Sequence, residues 1–298
     1  MGVFIEVVLP IVFIFFIGYV LQKWRKLDVR SVSAVTIYIF IPALVFQVFY
    51  EAELGREFWT IVLFAFLLLF ALIILNKILK WIFKWNHEEE SGMILSTAFM
   101  NAGNYGTPVV LFAFGQEAFM IAVIFMSLQT LIMNFFGVYY ASRSASGFRL
   151  AMIAVMKMPA TYAIIAAFMV QGLNIEITGN IAETIEFMAD VAIPLMMVGL
   201  GMQLANISFK EFETGKVVTG TVLRLIVSPL IAWGLVSLLP VSSLAEITLI
   251  VLTATPAAAT TTMYALEFRS KPELVSSVTL VSTVASVITL SILLMLLM

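Results

Sequence analysis

The chain has 298 residues and a formal net charge of −2 at pH 7; 62% of its residues are hydrophobic and only 11% are charged. About a quarter of the residues in a soluble domain are charged, so water is not the main solvent of this chain. The near-neutral balance also excludes the strongly positive surface on which nucleic-acid binding depends.

Apolar stretches long enough for membrane helices follow one another along the whole chain, with short connections that leave no room for a soluble domain. The basic residues near the first stretch follow it, at Lys23, Arg25 and Lys26, so we interpret it as a retained helix rather than a signal peptide. The ten predicted spans are 4–22, 32–50, 58–80, 91–114, 117–140, 150–173, 178–204, 217–239, 243–266 and 273–297.

The basic residues of the connections segregate between the two sides of the membrane. Alternate connections collect 13 Lys and Arg residues on one side, and the other side has only Arg56. Cytoplasmic connections accumulate Lys and Arg, so we expect a multi-pass protein of the plasma membrane with both termini extracytoplasmic. The 13 residues are Lys23, Arg25, Lys26, Arg30, Lys77, Lys80, Lys84, Arg143, Arg149, Lys210, Lys216, Arg269 and Lys271.

Three pairs of residues indicate an internal repeat. Pro10 and Pro159, Pro42 and Pro194, and Glu117 and Glu273 are separated by 149, 152 and 156 residues. The sequence therefore predicts two five-helix repeats, 1–141 and 149–298, and an odd number of helices inverts the second repeat relative to the first. The alternative is a chance match, because membrane helices accept proline readily.

The fourth span has a centre that is unsuited to a continuous helix. Between Asn101 and Pro108 it contains two asparagines, two glycines and a proline. Proline removes a backbone donor and glycine lowers the cost of unwinding. Unwound backbone inside a membrane is tolerated where protein or a water-filled cavity satisfies it, so we expect this stretch to line a site.

The ninth span has a corresponding interruption around Pro256, and two interrupted segments at matching positions point to a binding site in a transporter. A half-helix that begins in mid-membrane presents free N–H groups and a positive dipole end to an anion. The alternative is a pair of proline kinks with polar interhelical contacts. The candidate substrate-binding residues are Asn101, Asn104, Tyr105, Thr107, Pro108, Gln129, Asn134, Pro256, Thr260 and Thr261.

These residues resemble those of the auxin efflux carrier family, the bacterial PIN-like transporters, which are related to the bile acid sodium symporters. The resemblance rests on the stretch from Asn101 to Pro108, the turn at Gly115 and the proline-broken ninth span that leads to Tyr264. It implies an all-α membrane protein of ten transmembrane helices in two inverted repeats, with helices 4 and 9 broken and crossing at the substrate site. It also implies small organic anions as substrates, and a homodimer.

Two charged residues lie inside predicted spans. Asp190 is near the middle of span 7, where we consider either a proton-coupling carboxylate or a structural ion pair. Arg224 in span 8 is a candidate partner of Asp190, a candidate clamp for a substrate carboxylate, or an interfacial anchor.

The sequence therefore favours a secondary transporter of mono- or dicarboxylates that works by elevator-like alternating access. No phosphate-binding G-x-x-x-x-G-K-[ST] motif occurs, which excludes ATP-driven transport by this chain alone. The residues give no indication of catalysis, a cofactor or a metal site, because the single histidine, His87, lies in a predicted connection and cysteine is absent. A channel or facilitative pore is the main alternative and an intramembrane enzyme is a second one, and whether a proton, sodium or no ion is coupled stays open.

Overall fold

The computed structural model describes residues 4–142, 147–206 and 213–298, and these ranges are helical apart from short connections. Within them, the only β-pairing is an isolated bridge between Met100 and Ala257. The α-helices are α1 (Leu9–Arg25), α2 (Val29–Val35), α3 (Ile41–Glu51), α4 (Arg56–Phe83), α5 (His87–Thr97), α6 (Thr107–Ile132), α7 (Val138–Ser142), α8 (Gly147–Met156), α9 (Pro159–Gly172), α10 (Asn180–Ala205), α11 (Thr214–Val222), α12 (Ser228–Val236), α13 (Ser243–Thr253), α14 (Ala259–Phe268) and α15 (Pro272–Leu297).

The described ranges contain seven helical segments that are long and apolar enough to cross a membrane, and an eighth if α8 and α9, bent by 57°, form one span. This confirms an all-helical, multi-pass architecture. The division into ten spans stays a prediction: α6 is kinked at the non-helical residue Gly115, whose φ is +80°, between predicted spans 4 and 5, and α13 and α14 are individually short. Arg143 and Lys210, two of the 13 basic residues assigned to the cytoplasmic side, lie outside the described residues.

Wide π-helical turns lie just before the prolines of predicted spans 1, 2, 4 and 8. A proline clashes with the carbonyl four residues before it and has no N–H, and a turn wider by one residue relieves that clash. In three of these turns the residue just before the proline donates its N–H to the carbonyl five residues back, from Ile41 to Thr36, Thr107 to Ala102 and Ser228 to Leu223. The π-helical turns are Phe4–Val8, Thr36–Phe40, Ala102–Gly106, Met133–Gly137 and Leu223–Val227.

Helices α1 and α10 pack with their backbones in direct contact. A Cβ atom at Gly201 would lie 2.0 Å from the carbonyl oxygen of Phe15, and one at Gly18 would lie 2.2 Å from that of Val198. Small residues permit this approach, on which dispersion contacts between membrane helices depend. Gly18 and Gly201 are therefore required by the α1–α10 interface.

The helices form two groups. Helices α1, α2, α3, α9 and α10 pack mainly on one another, and we call them the panel. Gln171 of α9 fixes the end of α3 by donating to the carbonyls of Tyr50 and Ala52, at 3.1 and 2.8 Å. Helices α4 to α7 and α11 to α15 form the second group, which we call the bundle, and α8 packs on α7 of the bundle and leads into α9 of the panel.

Ion pairs connect four bundle helices at one end. Lys80 of α4 contacts Glu90 of α5 at 2.6 Å, Lys216 of α11 contacts both Glu89 and Glu213, and Lys271 contacts Glu213 at 3.4 Å just before α15. Hydrogen bonds from Lys216 hold the pKa of the Glu89 and Glu213 carboxyls below their ordinary values. These pairs favour movement of the four helices as one body.

We expect Gly201→Ala to lower the thermal unfolding temperature in detergent, because the added methyl group forces α1 and α10 apart, at a cost of roughly 1–3 kcal/mol. Gly199→Ala is the matched control on the same helix, because a Cβ atom at Gly199 meets no other atom within 4 Å. Equal unfolding temperatures for the two variants would contradict the close packing of α1 on α10.

Candidate functional site

The two helix interruptions predicted from the sequence lie against each other. Helix α5 ends at Thr97 and α13 ends at Thr253, and the extended residues that follow are paired backbone to backbone. The N–H of Asn101 donates to the carbonyl of Pro256 at 2.8 Å, and the N–H of Ala258 donates to the carbonyl of Phe99 at 3.0 Å. Each interruption therefore satisfies part of the other's backbone, as a low-dielectric interior demands.

This pairing is symmetric in sequence. Phe99 and Pro256 are 157 residues apart, and so are Asn101 and Ala258. The two hydrogen bonds therefore join equivalent positions of the two segments in opposite directions. The same spacing, within one residue, relates the ends of α5 and α13. It also lies one residue from the separation of Glu117 and Glu273, on which the predicted repeat partly rests.

A cavity of about 200 Å³ lies beside the paired interruptions, between the panel and the bundle. Five of the ten residues proposed from the sequence line it: Asn101, Asn104, Gln129, Asn134 and Thr260. Among the described residues, the lining also includes Ser33, Thr36, Ile37, Ile41, Val45, Met100, Ala102, Gly103, Met126, Ser127, Thr130, Met133, Met158, Ala160, Met196, Gly199, Gln203, Ala258 and Tyr264.

Two amide side chains of the lining have donors without acceptors. The Nδ2 atom of Asn101 and the Nε2 atom of Gln129 are buried and make no hydrogen bond to any described residue. An unpaired buried donor costs about 1–3 kcal/mol, and an acceptor supplied by a ligand would recover that cost. Asn134 differs, because its Nδ2 atom donates to the Thr130 carbonyl and its Oδ1 atom accepts from the Tyr264 hydroxyl, each at 2.8 Å.

Apart from its amide and hydroxyl side chains, the wall of the cavity is apolar. Ile37, Ile41 and Val45 of the panel face methionines contributed by several elements of both groups, and no Asp, Glu, Lys, Arg or His is among the described lining residues. Methionine is flexible and polarisable and adapts to ligands of different shape. The cavity therefore combines neutral hydrogen-bond donors with an adaptable apolar surface. The lining methionines are Met100, Met126, Met133, Met158 and Met196.

The other five proposed site residues support the interruptions and do not line the cavity. Tyr105 is buried against Phe15, with ring centroids 5.2 Å apart. The hydroxyls of Thr107 and Thr261 donate to the nearby carbonyls of Ala102 and Ala258, each at 2.7 Å. The carbonyl of Pro256 takes part in the backbone pairing, and Pro108 lies in the first turn of α6.

The sequence suggested Arg224 as a partner of Asp190, a clamp for a substrate carboxylate or an interfacial anchor, and the structure gives its side chain a different environment. Its side chain is fully buried outside the cavity lining, and within the described part of the chain no ion pair joins it to Asp190. It donates instead to the carbonyls of Thr97 and Thr253, the last residues of α5 and α13. A backbone acceptor gives no sequence signal, so residue spacing could not reveal this contact.

Sequence reasoning missed the methionines, Gln203 and the hydroxyl-bearing residues Ser33, Thr36, Ser127 and Thr130. Methionines are scattered along the chain, Met196 beside Met197 and Met158 beside Lys157, so no sequence signal separated the lining methionines from the others. Tyr264 was noted only as part of the family resemblance. A polar side chain one turn beyond the second interruption was the available signal for it.

A second cavity, of about 490 Å³, continues from the first. Both cavities are lined by Gln203 and Thr260, and the second extends to Arg30 of α2 and Glu273 of α15. These two residues lie at the side that the charge pattern predicts to be cytoplasmic. Together the cavities trace a path from the interruptions to that side of the protein.

A multi-pass helical architecture with a cavity beside the ends of two helices is typical of membrane transport proteins. A family model described as membrane transport protein matches the chain twice, over residues 3–149 and 148–294, so the chain belongs to this family, that of the auxin efflux carriers. An uncharacterized transporter of Methanothermobacter thermautotrophicus is 26% identical over 292 residues, covering 96% of this chain and 95% of the relative. An uncharacterized transporter of Methanocaldococcus jannaschii is 26% identical over 299 residues, covering 96% of each chain.

We expect Asp190→Asn to leave ligand binding unchanged, because Asp190 lies on an exposed face of α10 and does not line the cavity. The measurement is the carboxylate-induced rise in unfolding temperature of the purified variant. The same variant tests the coupling role predicted from the sequence. A pH profile of transport that the substitution does not alter would remove Asp190 from proton coupling.

Proposed function

We propose that the chain is a secondary carrier of small organic anions, such as mono- or dicarboxylates. The observation that carries this proposal is the pair of unsatisfied amide donors, Asn101 and Gln129, at a cavity with no acidic side chain among its described lining residues. A carboxylate is an acceptor-only group with two oxygens, so it complements two donors. The apolar wall favours a substrate whose carboxylate is attached to a short hydrocarbon body.

Helix ends add to the preference for an anion. The π-helical turn at Ala102 and helix α14 at Ala259 both begin at the interruptions, and neither has a side chain that caps its first N–H groups. A helix N-terminus is equivalent to roughly half a positive charge. Two such ends near the cavity attract a negative ligand.

We propose that the chain crosses the membrane ten times as two inverted repeats. In this arrangement α5 and the first part of α6 form span 4, α13 and α14 form span 9, and the two spans cross at the paired interruptions. The two matches of the family model and the 157-residue symmetry of the backbone pairing support this arrangement. A homodimer and the identity of any coupling ion stay predictions.

The transport step is alternating access, in which the bundle moves against the panel. The cavity lies between the two groups, with Ser33 and Ile41 on one side and Asn101 and Gln129 on the other. The second cavity continues toward the predicted cytoplasmic side, which supports an inward-facing state. Movement of the bundle past the panel would close that path and open one on the other side.

We expect Gln129→Met to weaken carboxylate binding about tenfold or more, because it removes a donor to a charged group with little change in volume. The measurements are the carboxylate-induced thermal shift and solute counterflow in proteoliposomes, over a panel of propionate, butyrate, benzoate, malonate and succinate. Gln116→Met is the matched control, since it makes the same chemical change at an exposed position of the same helix.

The two variants and the counterflow assay separate the proposal from its alternatives. Equal loss of carboxylate binding in Gln129→Met and Gln116→Met would show that the cavity does not recognise the substrate. Saturable counterflow supports a carrier, whereas single-channel currents across a planar bilayer would establish a channel instead.

The chain contains no cysteine, so single introduced thiols report on sidedness. We expect Ser276→Cys, which lines the second cavity, to react with a membrane-impermeant maleimide added from the cytoplasmic side alone. Gly55→Cys, in the exposed connection before α4, should react from the opposite side alone. Reversal of both results would overturn the predicted orientation.

A further inference from the structure

Arg224 is a buried cation whose position requires an explanation. It lies in the π-helical turn Leu223–Val227 between α11 and α12, and its side chain has no exposed surface. Burying a cation in a membrane protein is costly unless other groups offset its charge. In the described part of the chain no carboxylate forms an ion pair with it.

The groups that offset this charge are two helix C-termini. One terminal nitrogen of the guanidinium donates to the carbonyl of Thr97 at 2.6 Å, and the other donates to the carbonyl of Thr253. Ser228 reinforces the arrangement, because its hydroxyl accepts from Arg224 and lies 3.3 Å from the same Thr253 carbonyl. The planar guanidinium carries donors at fixed angles and can bridge two carbonyls, which a single ammonium does less well.

The bridge has a simple electrostatic consequence. Each helix C-terminus is equivalent to roughly half a negative charge and each N-terminus to half a positive charge, so four half-helix ends at one place sum to about zero. Arg224 neutralises the C-terminal ends of α5 and α13. The N-terminal ends that begin at Ala102 and Ala259 then leave the region with a net positive charge, and Ala102, Ala258 and Thr260 line the cavity beside them.

We propose that Arg224 is a positioning residue that ties the two half-helix C-termini together and gives the cavity the positive potential by which it selects anions. This proposal rests on the proposed function, since it explains the charge preference of the same site. Arg224 acts from outside the cavity, through the helix ends, and does not touch the substrate.

The test measures the potential in the cavity without a substrate. Thr260→Cys introduces a single thiol where both cavities meet, and two methanethiosulfonate reagents of opposite charge modify it, one with a sulfonate and one with a trimethylammonium group. The ratio of their rate constants reports the local potential, since the reactivity of the thiol itself cancels. Adding Arg224→Gln should lower the sulfonate-to-ammonium ratio about tenfold or more, whereas Arg224→Lys should change it little.

Two further variants keep Arg224 in place. Ser228→Asp sets a carboxylate beside the guanidinium and should lower the ratio as Arg224→Gln does, whereas the uncharged Ser228→Asn should not. If Arg224→Gln does not fold, the two Ser228 variants test the proposal in its place. Lys157→Met, which removes an exposed cation from the bend between α8 and α9, should leave the ratio unchanged.

A ratio that neither Arg224→Gln nor Ser228→Asp lowers would overturn the proposal, as would an equal decrease in Lys157→Met. Because the assay needs no substrate, its outcome is independent of the proposed function, which fails separately if the unaltered protein shows no carboxylate-induced thermal shift. Where that shift exists, Arg224→Gln should weaken binding of propionate by more than tenfold and leave any binding of uncharged propionamide unchanged. A purely structural role would weaken both equally.

Discussion

Backbone polar groups inside the hydrocarbon core must find partners within the protein, and the two helix interruptions meet this requirement by pairing with each other. Asn101 donates to Pro256 and Ala258 donates to Phe99, so neither extended segment is satisfied alone. Arg224 completes the arrangement, because it binds the carbonyls at which α5 and α13 end. The rest of the site depends on these hydrogen bonds, because they satisfy backbone groups at the four helix ends beside the cavity.

The chemistry of the cavity follows from the absence of charged side chains among its described lining residues. Its described lining offers amide groups, hydroxyl groups and apolar side chains, whereas the buried cation Arg224 is occupied by backbone carbonyls. The anion proposed as substrate would be bound there through dipoles and neutral donors rather than through a salt bridge. Weak, distributed interactions of this kind suit a carrier, which must release its substrate on the far side as readily as it binds it.

The division of the molecule into panel and bundle has a different physical origin on each side. The panel is held by backbone contact at Gly18 and Gly201, which permits little sliding of α1 past α10. The bundle is connected at one end by ion pairs centred on Lys216. The cavity lies between these two internally connected groups, so the proposed displacement of one relative to the other would change both its access and the panel side of its lining, while Asn101 and Gln129 would stay together.

The sequence by itself determined the helical membrane class, the transport family and the two interruptions. Apolar length, proline and glycine act over a few residues, and these signals are therefore local. Only the tertiary structure decided which polar side chains line the cavity. Asn101, Gln129 and Thr260 do, whereas Thr107 and Thr261 bind their own helix turns. It also decided the partners of Arg224, because they are backbone carbonyls 127 and 29 residues away that are brought to it by helix packing, which residue spacing does not encode.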